Sequence, residues 1–243
     1  MLQLDFIGVG SAFNPKLGNN SAFIKKNKSL ILIDCGGTVF ERLQELNMLD
    51  EVDNLYIIVT HTHPDHVGSL GEVIFYLYNI LKKKATIVFP NKEVIERFLS
   101  AIGATSKQYY LENNDIVKVD DKEFGKIAIE FLPVSHVKTM PCYGFIMKID
   151  DETFYYSGDS NNIEHRILEK LKKGEIDRLY QDTCGADYKG NAHMSLRKLK
   201  ELISMEYRNK VYCMHLDEHI TRKDIEESGF NVVKRYKIPF IEK

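Results

Sequence analysis

Residues 61–66 read His61-Thr62-His63-Pro64-Asp65-His66, which places four possible metal ligands within six positions. They follow directly on a short run of β-forming residues, Leu55, Tyr56, Ile57, Ile58 and Val59. A strand that ends in such a cluster delivers it to a loop at the edge of a sheet. Imidazole nitrogens and a carboxylate suit a borderline metal such as zinc, and a tight loop lets alternate residues address two different ions. A lone histidine here would read as an ordinary core or surface residue; four ligand residues together read as a metal site.

Outward from that cluster the pattern alternates. Toward the N-terminus, strands are expected at residues 2–7, 21–24 and 29–33, separated by turns at Gly8, Gly10, Pro15 and Gly18, with a helix at 38–46. Toward the C-terminus, a helix at 67–84, a strand at 85–89 and a helix at 92–102, stopped by Gly103, come next. The second half gives strands at 116–119, 126–133, 143–149 and 153–156, a helix at 161–173, strands at 178–182 and 210–214 around a helix at 195–205, and a last helix at 222–228. Hairpin-like neighbours mixed with helical crossovers favour two sheets flanked by helices over a single parallel sheet. No internal repeat or low-complexity linker interrupts the pattern, and 243 residues suit one domain over residues 1–243.

Composition narrows the partners. Lys and Arg number 33 against 35 Asp and Glu, so a net charge of −2 offers no global field for a long polyanion, and a nucleic-acid partner is not expected. The local basic runs, Lys82 to Lys84 and Lys25, Lys26 and Lys28, read as a solvated helix end and turn. Cys35, Cys142, Cys184 and Cys213 are scattered without a CxxC pair, and the start MLQLDFIGVG lacks a secretory leader pattern, which predicts a cytoplasmic protein with reduced thiols. The most apolar run, residues 73–81, is about half of a membrane span and contains Asn79, so no membrane is implied. The helix at 67–84 is apolar nearly all round through Val73, Ile74, Phe75, Tyr76, Leu77, Tyr78, Ile80 and Leu81, which predicts a homodimer across it.

The stretch HTHPDH resembles the HxHxDH signature of the metallo-β-lactamase superfamily, and further elements follow in that superfamily's order. They are Pro133-Val134-Ser135-His136, Tyr155-Tyr156-Ser157-Gly158-Asp159 and Val211-Tyr212-Cys213-Met214-His215. The resemblance implies an α/β fold, an αββα four-layer sandwich, holding two Zn²⁺ per chain, with Mn²⁺ as the alternative. His61, His63 and His136 would hold one ion, Asp65, His66 and His215 the other, and Asp159 would bridge them. Asp65 would also orient the water shared by the ions and take its proton. His165 and His219 match no element and are expected on the surface without a role.

Ala192-His193-Met194-Ser195, just before a helix that Ser195 can cap, resembles the tRNase Z branch, in which a histidine in this place protonates the departing oxygen of a phosphodiester. His193 is therefore the expected general acid. Standard tRNase Z enzymes carry a protruding tRNA-gripping arm between the third histidine and the bridging aspartate, whereas the stretch from His136 to Asp159 holds only a hairpin. The same core without an arm is similar to the anti-Pycsar cyclic-nucleotide phosphodiesterases. That resemblance implies hydrolysis of 3′,5′-cyclic mononucleotides, among them cyclic CMP, UMP, AMP and GMP, to nucleoside monophosphates, in the host cytoplasm if the gene belongs to a phage. Tyr109, Tyr110 and Tyr143 are the candidates for stacking on the base. The rival activities are a minimal tRNase Z ribonuclease and a glyoxalase-type thioesterase, the latter lacking its helical extension because little chain follows His215. A β-lactamase would usually carry cysteine where Asp159 stands.

Overall fold

In the β3 stretch Ser29–Ile33 every residue is buried, and successive side chains serve two different cores. Leu30 and Leu32 point into a cluster under helices, while Ile31 and Ile33 enter the space between two sheets. A strand covered on both faces reads as a continuous apolar run because its period-2 alternation separates two apolar environments rather than core from water. The same division recurs in β4 (Asn54–Ile58), with Leu55 and Ile57 against Ile58.

The computed structural model describes residues 3–237. One sheet runs β1 (Asp5–Gly8), β2 (Ser21–Lys26), β3, β4, β5 (Ala85–Val88), β6 (Tyr109–Glu112), in sequence order. The other holds β7 (Ile116–Asp121), β8 (Gly125–Pro133), β9 (Tyr143–Ile149), β10 (Glu152–Tyr156), β11 (Arg178–Asp182), β12 (Val211–Met214) and β13 (Asn231–Val232), again in order. Each sheet begins as an antiparallel meander and becomes parallel, from β3 onward in the first and from β10 onward in the second. The two sheets thus share a wiring plan that leaves no repeat in the sequence.

Helices α1 (Val39–Glu45), α3 (Leu70–Asn79) and α4 (Lys92–Ala101) pack on the outer face of the first sheet through Val39, Leu43, Val73, Ile74, Leu77, Ile95 and Leu99. Helices α5 (His165–Lys172), α6 (Leu196–Leu202) and α7 (Arg222–Glu227) cover the second through Ile167, Leu171, Leu199 and Ile225. Phe131, Phe145, Phe154, Tyr156 and Tyr180 fill the middle with the inner residues of the first sheet. The expected αββα sandwich is the observed one.

Several boundaries differ from expectation. The helix expected over 67–84 is two elements, a single turn α2 (Pro64–Val67) and α3, which stops at Asn79 because Lys82 turns the chain at φ 57°. Most of its apolar surplus is used inside the chain: Phe75, Tyr76 and Leu81 lean on the same core, and Tyr78 and Ile80 stay exposed. The helix expected from 161 starts at His165, and that expected over 195–205 ends at Leu202, followed by a 3-10 turn over Met205–Lys210. The short edge strands β6 and β13 carried no clear run. Leu2, where the first strand was expected to start, lies outside the described residues. No helix among the described residues is long and apolar enough to cross a membrane.

Candidate metal centre

The site sits at one end of both sheets, beyond the carboxyl ends of β3, β4, β8, β10, β11 and β12, where open α/β sheets place their ligands. After β4 a short loop leads to His63, itself in extended backbone, and Pro64 starts α2 at its first position, where a missing N–H costs nothing. His61 and His63 therefore project from a loop, but Asp65 and His66 project from a helical turn, not from the loop that the sequence suggested. Gly36 permits this packing, because a Cβ there would lie 2.0 Å from the Asp65 carbonyl oxygen.

Two donor sets form. His61 Nε2 lies 2.9 Å from His63 Nδ1, His136 Nε2 lies 3.3 Å from that same atom, and Asp159 Oδ2 is 3.8 and 3.7 Å from the His61 and His136 nitrogens. In the second set, His66 Nε2 and His215 Nε2 stand 3.3 and 3.2 Å from Asp65 Oδ2, and 3.2 and 3.4 Å from Asp159 Oδ1. Within each set the donor atoms lie within 4.8 Å of one another, with Asp159 common to both. The chemistry of these donors fits metal ions. His66 Nε2 and Asp159 Oδ1 are buried, 3.2 Å apart, and make no hydrogen bond, as expected of lone pairs that converge on a shared cation instead of on each other.

The far side of the rings holds them in place. Thr60 Oγ1 is 3.1 Å from His61 Nδ1, Asp34 Oδ2 is 2.8 Å from His66 Nδ1, the Ala192 carbonyl is 3.2 Å from His136 Nδ1, and Asp182 Oδ1 is 3.4 Å from His215 Nδ1. At His61, His66 and His136 a hydrogen-bonded partner there orients the ring toward the centre, while His215 Nδ1 and Asp182 Oδ1 face each other at ion-pair distance without a hydrogen bond. Asp34 and His215 both occupy left-handed backbone, at φ 60° and 58°, a strain of order 1–3 kcal/mol each that the packed surroundings sustain.

Charge divides the halves. Burial and the neighbouring His66 push the His61 imidazole well down, and burial and His136 push His63 down, so both stay neutral. Burial also opposes charge on His66 and His215, yet Asp159 and Asp34 outweigh it at the first and raise it well above its ordinary range, while Asp159, Asp182 and Asp65 lift the second to about 10. The Asp159 and Asp65 carboxyls are held well below the usual carboxylate range by these histidines despite their burial. The buried carboxylates of the pocket are thus held ionised by cationic neighbours, a balance that a bound cation can take over from the protons.

His193 stands beside both donor sets. Its ring packs 5.0 Å from His136 and stacks 5.1 Å from His215, and its Nδ1 is bound to Asp182 Oδ2 at 2.7 Å. The proximity of Asp182 and His193 to Asp159 and His215 would also suit a ligand set, but this short bond commits them to each other. Asp182 Oδ2 also accepts the Ser160 N–H, and Asn191 Oδ1 accepts the His193 N–H. Burial alone would lower the imidazole, but Asp182 outweighs it and raises it. Ser195 caps α6 through the Lys198 N–H, as expected.

All seven predicted ligands and His193 meet here. The predicted stacking tyrosines do not. Tyr109 is buried in the helix-side core, Tyr110 is exposed beside Lys84 at the far edge of the first sheet, and the Tyr143 ring packs between Phe89 and Phe131. A cavity of about 750 Å³ covers the centre, and its lining includes Phe13, Tyr188 and His219 instead. His219 was expected to lie on the surface without a role, and it stands on that lining; His165 is exposed at the start of α5, as expected. Asp34 and Asp182 were missed. Their only signal was an acidic residue closing a strand, Asp34 just after the apolar Leu30 to Ile33 and Asp182 as the last residue of β11.

An αββα sandwich with paired histidine and carboxylate clusters at its strand ends is the metallo-β-lactamase fold, and solved structures share it. They include YhfI from Bacillus subtilis, described as a metallo-beta-lactamase fold protein (TM-score 0.74, 18% identity, 98% of this chain and 96% of that one), and the short form of human tRNase Z (TM-score 0.66, 16% identity, 98% and 99%). The chain belongs to the anti-Pycsar protein Apyc1 family, whose profile matches residues 2–238. It is 26% identical to the anti-Pycsar protein Apyc1 of Paenibacillus harenae over 98% of this chain and 100% of the relative. It is 30% identical to that of Bacillus phage 010DV004 over 90% of each.

Proposed function

We propose that the protein is a dinuclear metal-dependent phosphodiesterase that opens 3′,5′-cyclic mononucleotides to nucleoside monophosphates and so counters Pycsar signalling. The family's name supports the setting. The observation that carries the chemistry is the His193–Asp182 pair beside the double donor set. A sugar alkoxide is a poor leaving group and needs a proton, whereas a thiolate does not, so a positioned acid favours a phosphate ester over a thioester.

When bound, a pair of ions, zinc in this proposal, supplies Lewis acidity toward the phosphate and a water ionised near neutral pH. The chain does the rest. Asp159 spaces the two donor sets through its two oxygens, and the Asp65 carboxylate orients the attacking water and accepts its proton. His193, held through Nδ1, passes the proton on Nε2 to the leaving oxygen as the phosphorus–oxygen bond of the ring breaks. The interval after His136 is filled by the β9–β10 hairpin, which leaves nothing to grip tRNA. The proposal places this reaction in the cytoplasm, where the four buried cysteines stay reduced, and in a homodimer that light scattering at micromolar concentration tests.

Purified protein loaded with zinc or manganese, offered cyclic CMP, UMP, AMP and GMP, 2′,3′-cyclic nucleotides and pre-tRNA, is expected to consume the 3′,5′-cyclic set and leave pre-tRNA intact. Trimming of pre-tRNA without cyclic-nucleotide turnover would overturn the proposal.

A further inference from the structure

Phe13 is 92% exposed and Tyr188 is 64% exposed, and both line the cavity that holds the metal ligands. Single exposed apolar residues are ordinary on a protein surface. These two differ from Ile80, Ile116 and Met205, which are also exposed but lie outside the cavity lining, because the loops that carry them are tied down at the site. The Phe13 loop is fastened to the residue after a metal ligand: the Ser11 N–H and the Asn14 side-chain amide both donate to the Leu216 carbonyl, at 3.1 and 3.2 Å. The Tyr188 loop is fastened one residue further on, where the Asp217 carboxylate accepts the Gly185 and Ala186 N–H groups at 2.9 and 3.1 Å. Asn191 closes that loop from within, donating to the Ala186 carbonyl and, through its backbone, to the Tyr188 carbonyl. Gly185 seats it on the rim, since a Cβ there would lie 2.2 Å from the His219 carbonyl oxygen. Two aromatic side chains from loops more than 170 residues apart in sequence are therefore anchored on adjacent residues, 216 and 217, beside His215.

We propose that Phe13 and Tyr188 are the substrate-binding residues for the flat heterocycle of the substrate, offering their faces to a nucleobase while its phosphate lies on the metal centre. This rests on the phosphodiesterase reading and deepens it, because an aromatic face accepts every base and discriminates little among them. Base tolerance then follows from a contact that reads π-surface rather than a hydrogen-bond pattern.

The test is the metal-loaded full chain with Phe13→Ala, Tyr188→Ala and Tyr188→Phe, assayed on cyclic CMP and cyclic AMP and on the abasic 3′,5′-cyclic phosphate of 1-deoxyribose, followed by phosphorus NMR. Each alanine variant is expected to raise KM for both nucleotides about tenfold, with kcat changed far less. On the abasic substrate the variants should match the parent protein, and Tyr188→Phe should behave as the parent on all three. A parent protein that turns over cyclic nucleotides with alanine variants of unchanged KM overturns the base contact and leaves the activity standing. Equal losses on the abasic substrate, or a Tyr188→Phe variant as impaired as Tyr188→Ala, also overturn it. A folded, metallated parent that turns over no cyclic nucleotide sinks the phosphodiesterase reading itself.

Discussion

The donor set of His61, His63 and His136 includes the half-buried His63 and is steadied from behind by a hydroxyl and a backbone carbonyl, whereas Asp65, His66 and His215 are buried throughout and backed by two carboxylates, Asp34 and Asp182. In the first set His61 and His63 are held neutral, while the second raises the affinity of its histidines for protons. Two sites with nearly the same ligand types therefore differ in electrostatic demand. The buried set needs a positive charge whether or not a metal supplies it, and the other offers lone pairs at little cost. On this reading the buried set holds its ion more tightly, and the His63 and His136 set is the more exchangeable.

Asp159 belongs to both sets, so its removal should produce the largest effect. Asp159→Ala is expected to lose both ions and drop cyclic-nucleotide hydrolysis below detection, as elemental analysis and a turnover assay would report. Retention of two ions per chain with full activity would break the assignment. His193→Ala comes next: both ions should stay, and the rate should fall roughly 10²- to 10⁴-fold. A substrate with a better leaving group should recover part of that loss, and equal losses on good and poor leaving groups would remove His193 from proton donation.

The contrast between the halves is sharpened by Asp34→Asn, which keeps the volume but removes the charge behind His66. The more tightly held ion should lose roughly 10- to 100-fold in affinity while the other changes little. A uniform loss across both ions would show that the two sets do not differ as described. The pH dependence gives a subtler reading of the same contrast. Protons on His66 and His215 compete with metal, so affinity at the buried set should fall as pH is lowered through neutrality, with protons released on binding, and calorimetry in buffers of different ionisation enthalpy counts them. In the metal-stripped protein the sign follows from the raised His215. Its charged form stabilises the fold fully below its ordinary pKa of about 6.5, and that contribution is lost as pH rises toward about 10, so Tm of the stripped protein should decline across that window. A flat profile would mean that His215 carries no net charge there.

The ligands were legible because metal chemistry concentrates rare residue types at strand ends, and the sandwich was legible because strands with two buried faces leave unbroken apolar runs such as Leu30 to Ile33. What stayed hidden is held by contacts between distant segments. Asp34 and Asp182 look like ordinary strand-end acids until the fold brings them behind His66 and His215, 32 and 33 positions away. The seating of α2 depends on the close approach of Gly36 to the Asp65 carbonyl, and no local pattern records that approach. The shared wiring of the two sheets is a topological repeat without similar residues, so self-similarity in the sequence does not reveal it.

The smallest expected effect concerns the aromatic residues that the sequence nominated for the base. Tyr110 has the exposure and ring that a stacking platform needs, and so does Tyr188, but the two differ in what surrounds them. Tyr110 sits on β6 at the edge of the first sheet, where its ring meets the Lys84 ammonium at 5.0 Å from the centroid, and it is absent from the cavity lining. An exposed cation–π contact of this kind is worth little and has no route to a phosphate at the metal centre. Tyr110→Ala should therefore leave KM and kcat for cyclic nucleotides within about twofold of the parent, as is usual for surface positions away from a site. If that variant instead raised KM as much as Tyr188→Ala, the base would have to reach the far edge of the sheet. The cavity over the donor sets would then not be where the substrate lies.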